Sequence, residues 1–393
     1  MHICLYSETA LPMIGGQELA LDALARQFLA AGHQVTLLTQ RQRRRQTLDE
    51  PEHPYMVVRH RRYVSTRHFL GWYCRSLEAL YVRSPFDVLH CHNIFPAGEI
   101  AARWAFRRRV PLVLTSHACD ISAESHLLRK PDVIPRVQTV LRQSRAIVAI
   151  SDQVESRFLT LGATRAQVTR IPNGVDLASF DGRVARPDSL PAPVRPGDYF
   201  LFLGRLVARK GADLLLAAFQ RIAASTTIDL IIAGDGEQRE WLEKAVVERG
   251  LSGRVFLPGV VGGTAKTYLL QNARCVVIPS RISEGSSLVV LESYAAGRPV
   301  IGASIPGLIE AVRPEQTGLL FAEDSVEELT AALTTAAGRP ALCDAWGGAA
   351  HHWVQPYDWR QIAIRHLQLY APLLDAREER AAPGRRPRIR RAA

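Results

Sequence analysis

Two rhythms alternate along this chain. Short apolar runs are followed by longer stretches whose apolar residues recur three and four apart. The run HICLYS at 2–7 predicts a strand and IGG at 14–16 a turn. ELALDALARQFLAAG at 18–32 predicts an amphipathic helix stopped by glycine, and HQVTLLTQ at 33–40 the next strand. Strand, helix, strand in this order implies a right-handed crossover and a parallel sheet. Further strands are predicted at 87–92, 111–117, 146–151 and 168–173, with helices at about 98–108, 131–143 and 152–161. Residues 41–68 read as a loop.

The stretch GRVARPDSLPAPVRPGD at 182–198 is proline-rich and polar, and reads as a linker. After it the alternation restarts. Strands are predicted at 199–205, 227–236, 254–259, 274–280, 298–303 and 317–321. Helices are predicted at 211–224, 237–249, 264–272, 287–296, 306–312 and 325–336, and a last one at about 357–373. The reading is α/β: two doubly wound domains, 1–185 and 186–355, then a helix over 356–375 and a basic tail over 376–393 expected to be disordered.

Composition narrows the classes. With 393 residues, 47% of them hydrophobic, the chain can form two real cores. No apolar run approaches the roughly 20 residues of a membrane helix, and residues 3–6 look like a first strand rather than part of a leader. The six cysteines, Cys4, Cys74, Cys91, Cys119, Cys275 and Cys343, are scattered without metal-ligand spacing, which suggests reduced thiols and a cytoplasmic protein. HCHN at 90–93 has no nearby third ligand and is a weak metal motif.

The net charge of +11 is concentrated in QRQRRRQ at 40–46, RHRRY at 59–63, FRRRV at 106–110 and PGRRPRIRRAA at 383–393. Such a field favours anionic partners or is a solvated surface. No zinc finger, aromatic RNA-binding signature or helix-turn-helix is present, so nucleic acid is not expected. A dehydrogenase is disfavoured: IGGQE lacks the full nicotinamide spacing, and no acid closes the strand VTLLT to hold a ribose.

The chemistry concentrates in the second domain. GRLVARKG at 204–211 puts Arg205 and Lys210 after a strand end, which suggests a phosphate clamp. EGSSLVVLESYAAG at 284–297 puts Glu284 in the following loop, Gly285, Ser286 and Ser287 at a helix start, and Glu292 about 12 Å further along at 1.5 Å per residue. Backbone amides at a helix start can hold phosphate oxygens. That span suits a hexose and a ribose joined by a diphosphate, with the ribose hydroxyls as partner for Glu292.

Together these residues resemble glycosyltransferase family 4 of the GT-B superfamily. Glu284 and Glu292 match its Glu-x7-Glu motif within PSRISEGSSLVVLESYAAGRPVIGA. GRLVARKG, GGQELALDALARQFLAAGHQVTLLT and IPNGVD at 171–176 match its other elements, and the resemblance covers nearly the whole chain.

The resemblance implies two Rossmann-like domains facing a cleft, acceptor-binding then donor-binding, with the last helix crossing back to the first. It gives Arg205 and Lys210 the donor diphosphate, Glu284 the sugar hydroxyls, Gly285 to Ser287 backbone contacts and Glu292 the ribose. Gly16 approaches the diphosphate, His117 in TSHACD stands near the donor sugar, and Asp120 orients it or helps the acceptor. Ser286 and Ser287 depart from the apolar residue and glycine common in relatives, which leaves the hexose open.

The implied activity is retaining hexosyl transfer from a UDP- or GDP-sugar to a glycan, lipid-linked saccharide or small molecule. No cofactor and no divalent metal are expected. A front-face route fits the lack of an obvious carboxylate nucleophile. The alternatives are a nucleotide-sugar epimerase or phosphorylase on the same architecture, or a non-catalytic nucleotide-sugar binding protein. The basic first domain, with helix 98–108, adds an expected peripheral contact with anionic lipid at the inner face of the plasma membrane.

Overall fold

The computed structural model describes residues 1–41, 52–61, 66–122, 125–188, 190 and 195–381. The chain divides into two compact units. One holds Met1–Ile150, Val154–Ile171 and the chain from Ile362 onward; the other holds Ser151–Gln153 and Pro172–Gln361.

The first unit is built on a seven-stranded parallel sheet. Its strands are β1 (His2–Ser7), β2 (Gln34–Gln40), β3 (Met56–His60), β4 (Val88–Cys91), β5 (Leu112–Ser116), β6 (Ala146–Ala149) and β7 (Val168–Arg170), in the order β3-β2-β1-β4-β5-β6-β7. Ile3 lies beside Val35 on one side and Val88 on the other. Every residue of β1, β4, β5 and β6 is buried, because helices cover both faces of such a sheet.

Those helices are α1 (Gly16–Ala30), α2 (Thr66–Arg83), α3 (Ala97–Arg108), α4 (Val133–Gln143) and α5 (Asp152–Thr160). In α1 the residues Leu21, Leu24, Ala25 and Phe28 recur at helical spacing and are buried. Each large apolar side chain so buried contributes about 1.5–3 kcal/mol.

The second unit has the six-stranded parallel order β10-β9-β8-β11-β12-β13. The strands are β8 (Tyr199–Leu203), β9 (Asp229–Ala233), β10 (Val255–Gly259), β11 (Cys275–Ile278), β12 (Val300–Ala303) and β13 (Gly318–Phe321). Around them lie α6 (Ala212–Ile222), α7 (Arg239–Glu248), α8 (Gly263–Asn272), α9 (Leu288–Ala295), α10 (Leu308–Ala311), α11 (Val326–Gly338) and α12 (Pro340–Val354).

The last helix, α13 (Trp359–Ala381), starts in the second unit, and its residues from Ile362 belong to the first. Within that unit Ile362, His366 and Tyr370 are buried on one face, and Arg377 donates to the Asp87 carbonyl (3.0 Å) and to the Tyr81 hydroxyl (3.1 Å).

The structure departs from the sequence reading in several places. The expected loop 41–68 contains β3, an edge strand whose arginine and histidine mask its apolar pair; residues 42–51 and 62–65 lie outside the described residues. α2 was missed although Tyr73, Cys74, Leu77 and Leu80 carry a helical period and are buried. α12 lies in a stretch to which the sequence reading gave no element, and it carries two adjacent glycines, Gly347 and Gly348. A Cβ at Gly347 would lie 2.1 Å from the Gly297 carbonyl oxygen, so the glycine lets the helix rest on that turn.

α13 continues through Pro372 and past residue 375, where the tail was placed, and Arg377 anchors those added turns. Residues 382–393 of the expected disordered tail lie outside the described residues. Among the described residues no helix is long and apolar enough to cross a membrane.

Candidate active site

In the second unit the loops after β8 and β11 carry the predicted cations and glutamate. Lys210 lies in a short 3-10 turn, residues Ala208–Lys210, that ends at Gly211. Gly211 has φ +70°, and a Cβ there would sit 1.9 Å from the Pro279 carbonyl oxygen. The Lys210 turn therefore lies directly on the loop after β11. Arg281 fastens the two loops. Its backbone N–H donates to the Arg209 carbonyl (2.9 Å), and its guanidinium to the Ala208 carbonyl (2.8 Å), both oxygens of Asp213 (2.8 Å each) and Asp324 (2.7 Å). These carboxylates raise the Arg281 pKa above its ordinary value against the opposing effect of burial.

That packing delivers Lys210 Nζ to Glu284 Oε1 at 2.5 Å, and the same oxygen accepts from Ser280 Oγ at 2.5 Å. The Glu284 backbone is fixed too: its N–H donates to the Pro306 carbonyl (3.1 Å), and a Cβ on Gly307 (φ +88°) would lie 1.5 Å from the Glu284 carbonyl oxygen. Arg205 is exposed and holds no ion pair among the described residues.

Gly285 and Ser286 precede the helix rather than opening it. α9 begins at Leu288, with Ser287 at its N-cap and no side-chain cap on its first amides. The Ser286 carbonyl is held by Asn173 Nδ2 at 3.2 Å. Glu292 lies on α9 beside buried Val290, Leu291 and Tyr294, where an unpaired carboxylate would be costly. It is paired: Lys266 Nζ on α8 is 2.7 Å from Glu292 Oε1. Sequence reasoning offered only ribose hydroxyls as partner for Glu292 and missed this cation.

In the first unit Gly16 opens α1, is exposed, and has nothing within 4 Å of where a Cβ would stand, so its backbone is open to approach. His117 follows β5 and is half-buried; burial lowers its pKa to about 4. Asp120 does not partner it. One Asp120 oxygen accepts from the Ser116 hydroxyl, and the other from the Ile94 N–H at 2.6 Å. Burial pushes the Asp120 carboxyl up while those hydrogen bonds pull it down. Asp120 thus ties the loops after β4 and β5 together. The partner of His117 is His92, whose Nδ1 lies 3.2 Å from His117 Nε2.

Helix α3 turns Ile100, Ala101, Trp104 and Ala105 into the core. The apolar side of the predicted basic helix is therefore packing surface. What faces out is Phe106 among Arg103, Arg107 and Arg109, while Arg108 is tied to Glu78. On α2, Trp72, Arg75, Val82 and Arg83 are also exposed.

A family model described as Glycosyltransferase Family 4 matches residues 14–179, and one described as Glycosyl transferases group 1 matches 197–338. A glycogen synthase of Mycobacterium tuberculosis is 32% identical over 78% of this chain and 73% of its own length. An uncharacterized glycosyltransferase of Methanocaldococcus jannaschii is 26% identical over 91% of this chain and 94% of its own. Among solved structures, sucrose-phosphate synthase from Thermosynechococcus elongatus superposes with a TM-score of 0.78 at 23% identity, covering 95% of this chain and 99% of that one. HepE of Anabaena, in complex with UDP, gives 0.77 at 18% identity, covering 95% and 100%.

The fold is α/β with two Rossmann-like domains, and the family models and sequence relatives make the chain a glycosyltransferase, EC class 2.4. The chain belongs to glycosyltransferase family 4.

Proposed function

We propose that this enzyme transfers a hexosyl unit, with retention of configuration, from a nucleoside diphosphate sugar to a hydroxyl acceptor. The observation that carries the reading is the Lys210–Glu284–Ser280 cluster in the loop that leads to the uncapped start of α9, with exposed Arg205 on the loop after β8. Arg205, Lys210 and the first amides of α9 supply fixed positive potential where a departing diphosphate gathers negative charge. Glu284, Gly285, Ser286 and Ser287 meet the sugar and phosphates, Glu292 takes the ribose with the oxygen Lys266 leaves over, and Gly16 and His117 serve the donor from the first unit.

In the front-face step the acceptor oxygen bonds to the anomeric carbon as the bond to the leaving phosphate oxygen breaks. That oxygen takes the acceptor proton. No divalent ion is needed on this reading, and turnover should survive EDTA.

The preferred donors are UDP-glucose and UDP-N-acetylglucosamine, with GDP-mannose the other choice. HepE was solved with UDP, and another relative is a phosphatidyl-myo-inositol mannosyltransferase of Mycolicibacterium smegmatis. The exposed arginines with Phe106 and Trp72 support a lipid-linked acceptor met at an anionic membrane surface, each basic residue adding about 1 kcal/mol there. Sedimentation with anionic and neutral vesicles, at low and physiological salt, tests that contact; equal failure to pellet rejects it.

The donor reading is tested by Arg205→Ala and Lys210→Ala. Each should lower turnover on a panel of nucleotide sugars by about 10²–10³, as for other contacts to developing negative charge, with folding intact by circular dichroism. Near-full activity in both removes the phosphate clamp.

A further inference from the structure

Four histidines lie side by side in the first unit. His90 and His92 come from β4 and the residue after it, His117 from the end of β5, and His366 from α13. The ring centroids of His90 and His92 are 4.2 Å apart, those of His90 and His366 5.4 Å, and those of His92 and His117 5.5 Å with planes only 19° apart. The cluster is not arranged as a metal site: among the described residues no group of three or more histidine, cysteine, aspartate or glutamate side chains could hold an ion.

His90 is fully committed. Its Nδ1 lies 2.6 Å from the Tyr370 hydroxyl and its Nε2 2.7 Å from Thr115 Oγ1. His92 has one bond, from Nδ1 to His117 Nε2, and its buried Nε2 has no hydrogen-bond partner among the described residues. Burial, with repulsion from His90, His117 and His366, holds His92 neutral, so it carries one ring proton.

Two proton arrangements satisfy the 3.2 Å contact. If His117 Nε2–H donates, His92 Nδ1 accepts and the His92 proton sits on Nε2, a buried N–H with nothing to donate to. If His92 Nδ1–H donates, only an unfilled acceptor is buried. Orphaned buried N–H groups are the rarer case. The second arrangement leaves His117 with its proton on Nδ1, which has no partner among the described residues.

We propose that His92 is a positioning residue for transfer: by donating from Nδ1 it fixes His117 in the Nδ1–H tautomer, so that a neutral N–H is held out toward substrate. The inference rests on the reading of His117 as a donor-side contact. It gives His117 the role of a hydrogen-bond donor to a hydroxyl or phosphate oxygen, not of a base. It also accounts for a histidine, rather than an apolar residue, at buried position 92.

The test begins with the unaltered enzyme. In 15N-histidine-labelled protein at neutral pH, the His117 signal, identified by its absence in His117→Asn, should show a protonated Nδ1 and an unprotonated Nε2. A protonated Nε2 overturns the proposal, whatever His117 does in catalysis. His92→Asn, whose amide nitrogen can donate near the place of Nδ1, should keep the tautomer and turnover within about threefold. His92→Phe should shift His117 toward Nε2–H and lower kcat/KM about tenfold, the worth of one neutral hydrogen bond.

An unchanged tautomer and rate in His92→Phe overturn the proposal. Should the phenylalanine variant fail to fold, loss of the tautomer in His92→Asn has the same force. Full activity in His117→Asn would instead remove the donor-side reading of His117 and leave the measured tautomer standing.

Discussion

Acid should open the first unit before the second. His90 is held well below the ordinary imidazole value by burial and then by His366 and His117, and His92 by burial and then by His90, His117 and His366. Burial lowers His117 to about 4; burial, then repulsion from Arg365 and His117, lowers His366 to about 3. Unfolded, each titrates near 6.5. A folded value below the unfolded one means the unfolded state binds more protons in between. The stability is then fully present above about pH 6.5 and is lost as pH falls toward 4 and 3.

Each imidazole contributes about 1.4 kcal/mol per pH unit in that window. From pH 6 to 5 the four together remove about 5 kcal/mol, comparable with the whole net stability of a domain, about 5–15 kcal/mol. His60, also lowered by burial, acts in the same sense. Asp120 opposes it: its folded carboxyl is raised above 3.8, so the native state takes that proton first, which offsets part of the loss at the acid end. The second unit has only His351 and His352, both exposed.

The assay is pulsed hydrogen exchange with mass spectrometry along urea series at pH 7, 6 and 5, read on peptides from β4 and β5 for the first unit and from β11 and β12 for the second. The first-unit midpoint should fall steeply between pH 6 and 5, corresponding to three to four protons taken up on unfolding. His366→Gln should flatten that slope by about one proton. Uptake of one proton or fewer, or the second unit opening first, would refute the reasoning.

Gly307→Ala should destabilise the second unit by about 1–3 kcal/mol or displace the Glu284 loop, because its φ is unfavourable and its Cβ would meet the Glu284 carbonyl at 1.5 Å; calorimetry and turnover both unchanged would count against the loop geometry. Arg281→Lys cannot reproduce the planar fork on Asp213 or the bond to the Ala208 carbonyl. It should raise the donor KM more than it lowers the unfolding temperature, and an unaltered KM removes the clamp. Lys266→Met should cost about 1–2 kcal/mol by leaving Glu292 unpaired, and adding Glu292→Gln should restore most of it. A double-mutant cycle with no coupling would show that the pair is incidental.

Most of the fold was legible because parallel strands buried on both faces write themselves as unbroken apolar runs. HICLYS, PLVLTSH and RCVVIPS each mark a strand, and the true ends fall within a few residues of the expected ones. The errors arose where tertiary contacts overrule local pattern. The run 227–236 ends as a strand at Ala233 because Gly234 leaves it at φ +146°, with its would-be Cβ 1.8 Å from the Gly204 carbonyl oxygen. Helix α12 (Pro340–Val354) went unassigned, and the fit of Gly347 against the turn at Gly297 is a tertiary contact that local pattern does not show. The basic run that follows residue 375 reads as tail, yet the helix runs on to Ala381, with Arg377 anchored on Asp87 and Tyr81.

The site was legible in a different way. Arg205, Lys210, Glu284 and His117 all lie just beyond strand C-termini, where parallel sheets deliver chemistry, so their positions follow from the strand pattern. What holds them does not follow. Lys266 reaches Glu292 from a neighbouring helix, Arg281 reaches Asp213 across 68 residues of chain, and His92 reaches His117 across 25. Spacing along the chain carries no trace of such pairs. A signal for one of them did exist. HCHN put two polar rings in a strand end that should be apolar, and the metal reading looked for a third ligand nearby in sequence. The partner was the histidine of the next strand in the sheet, and its contact makes the motif a device for orienting a side chain.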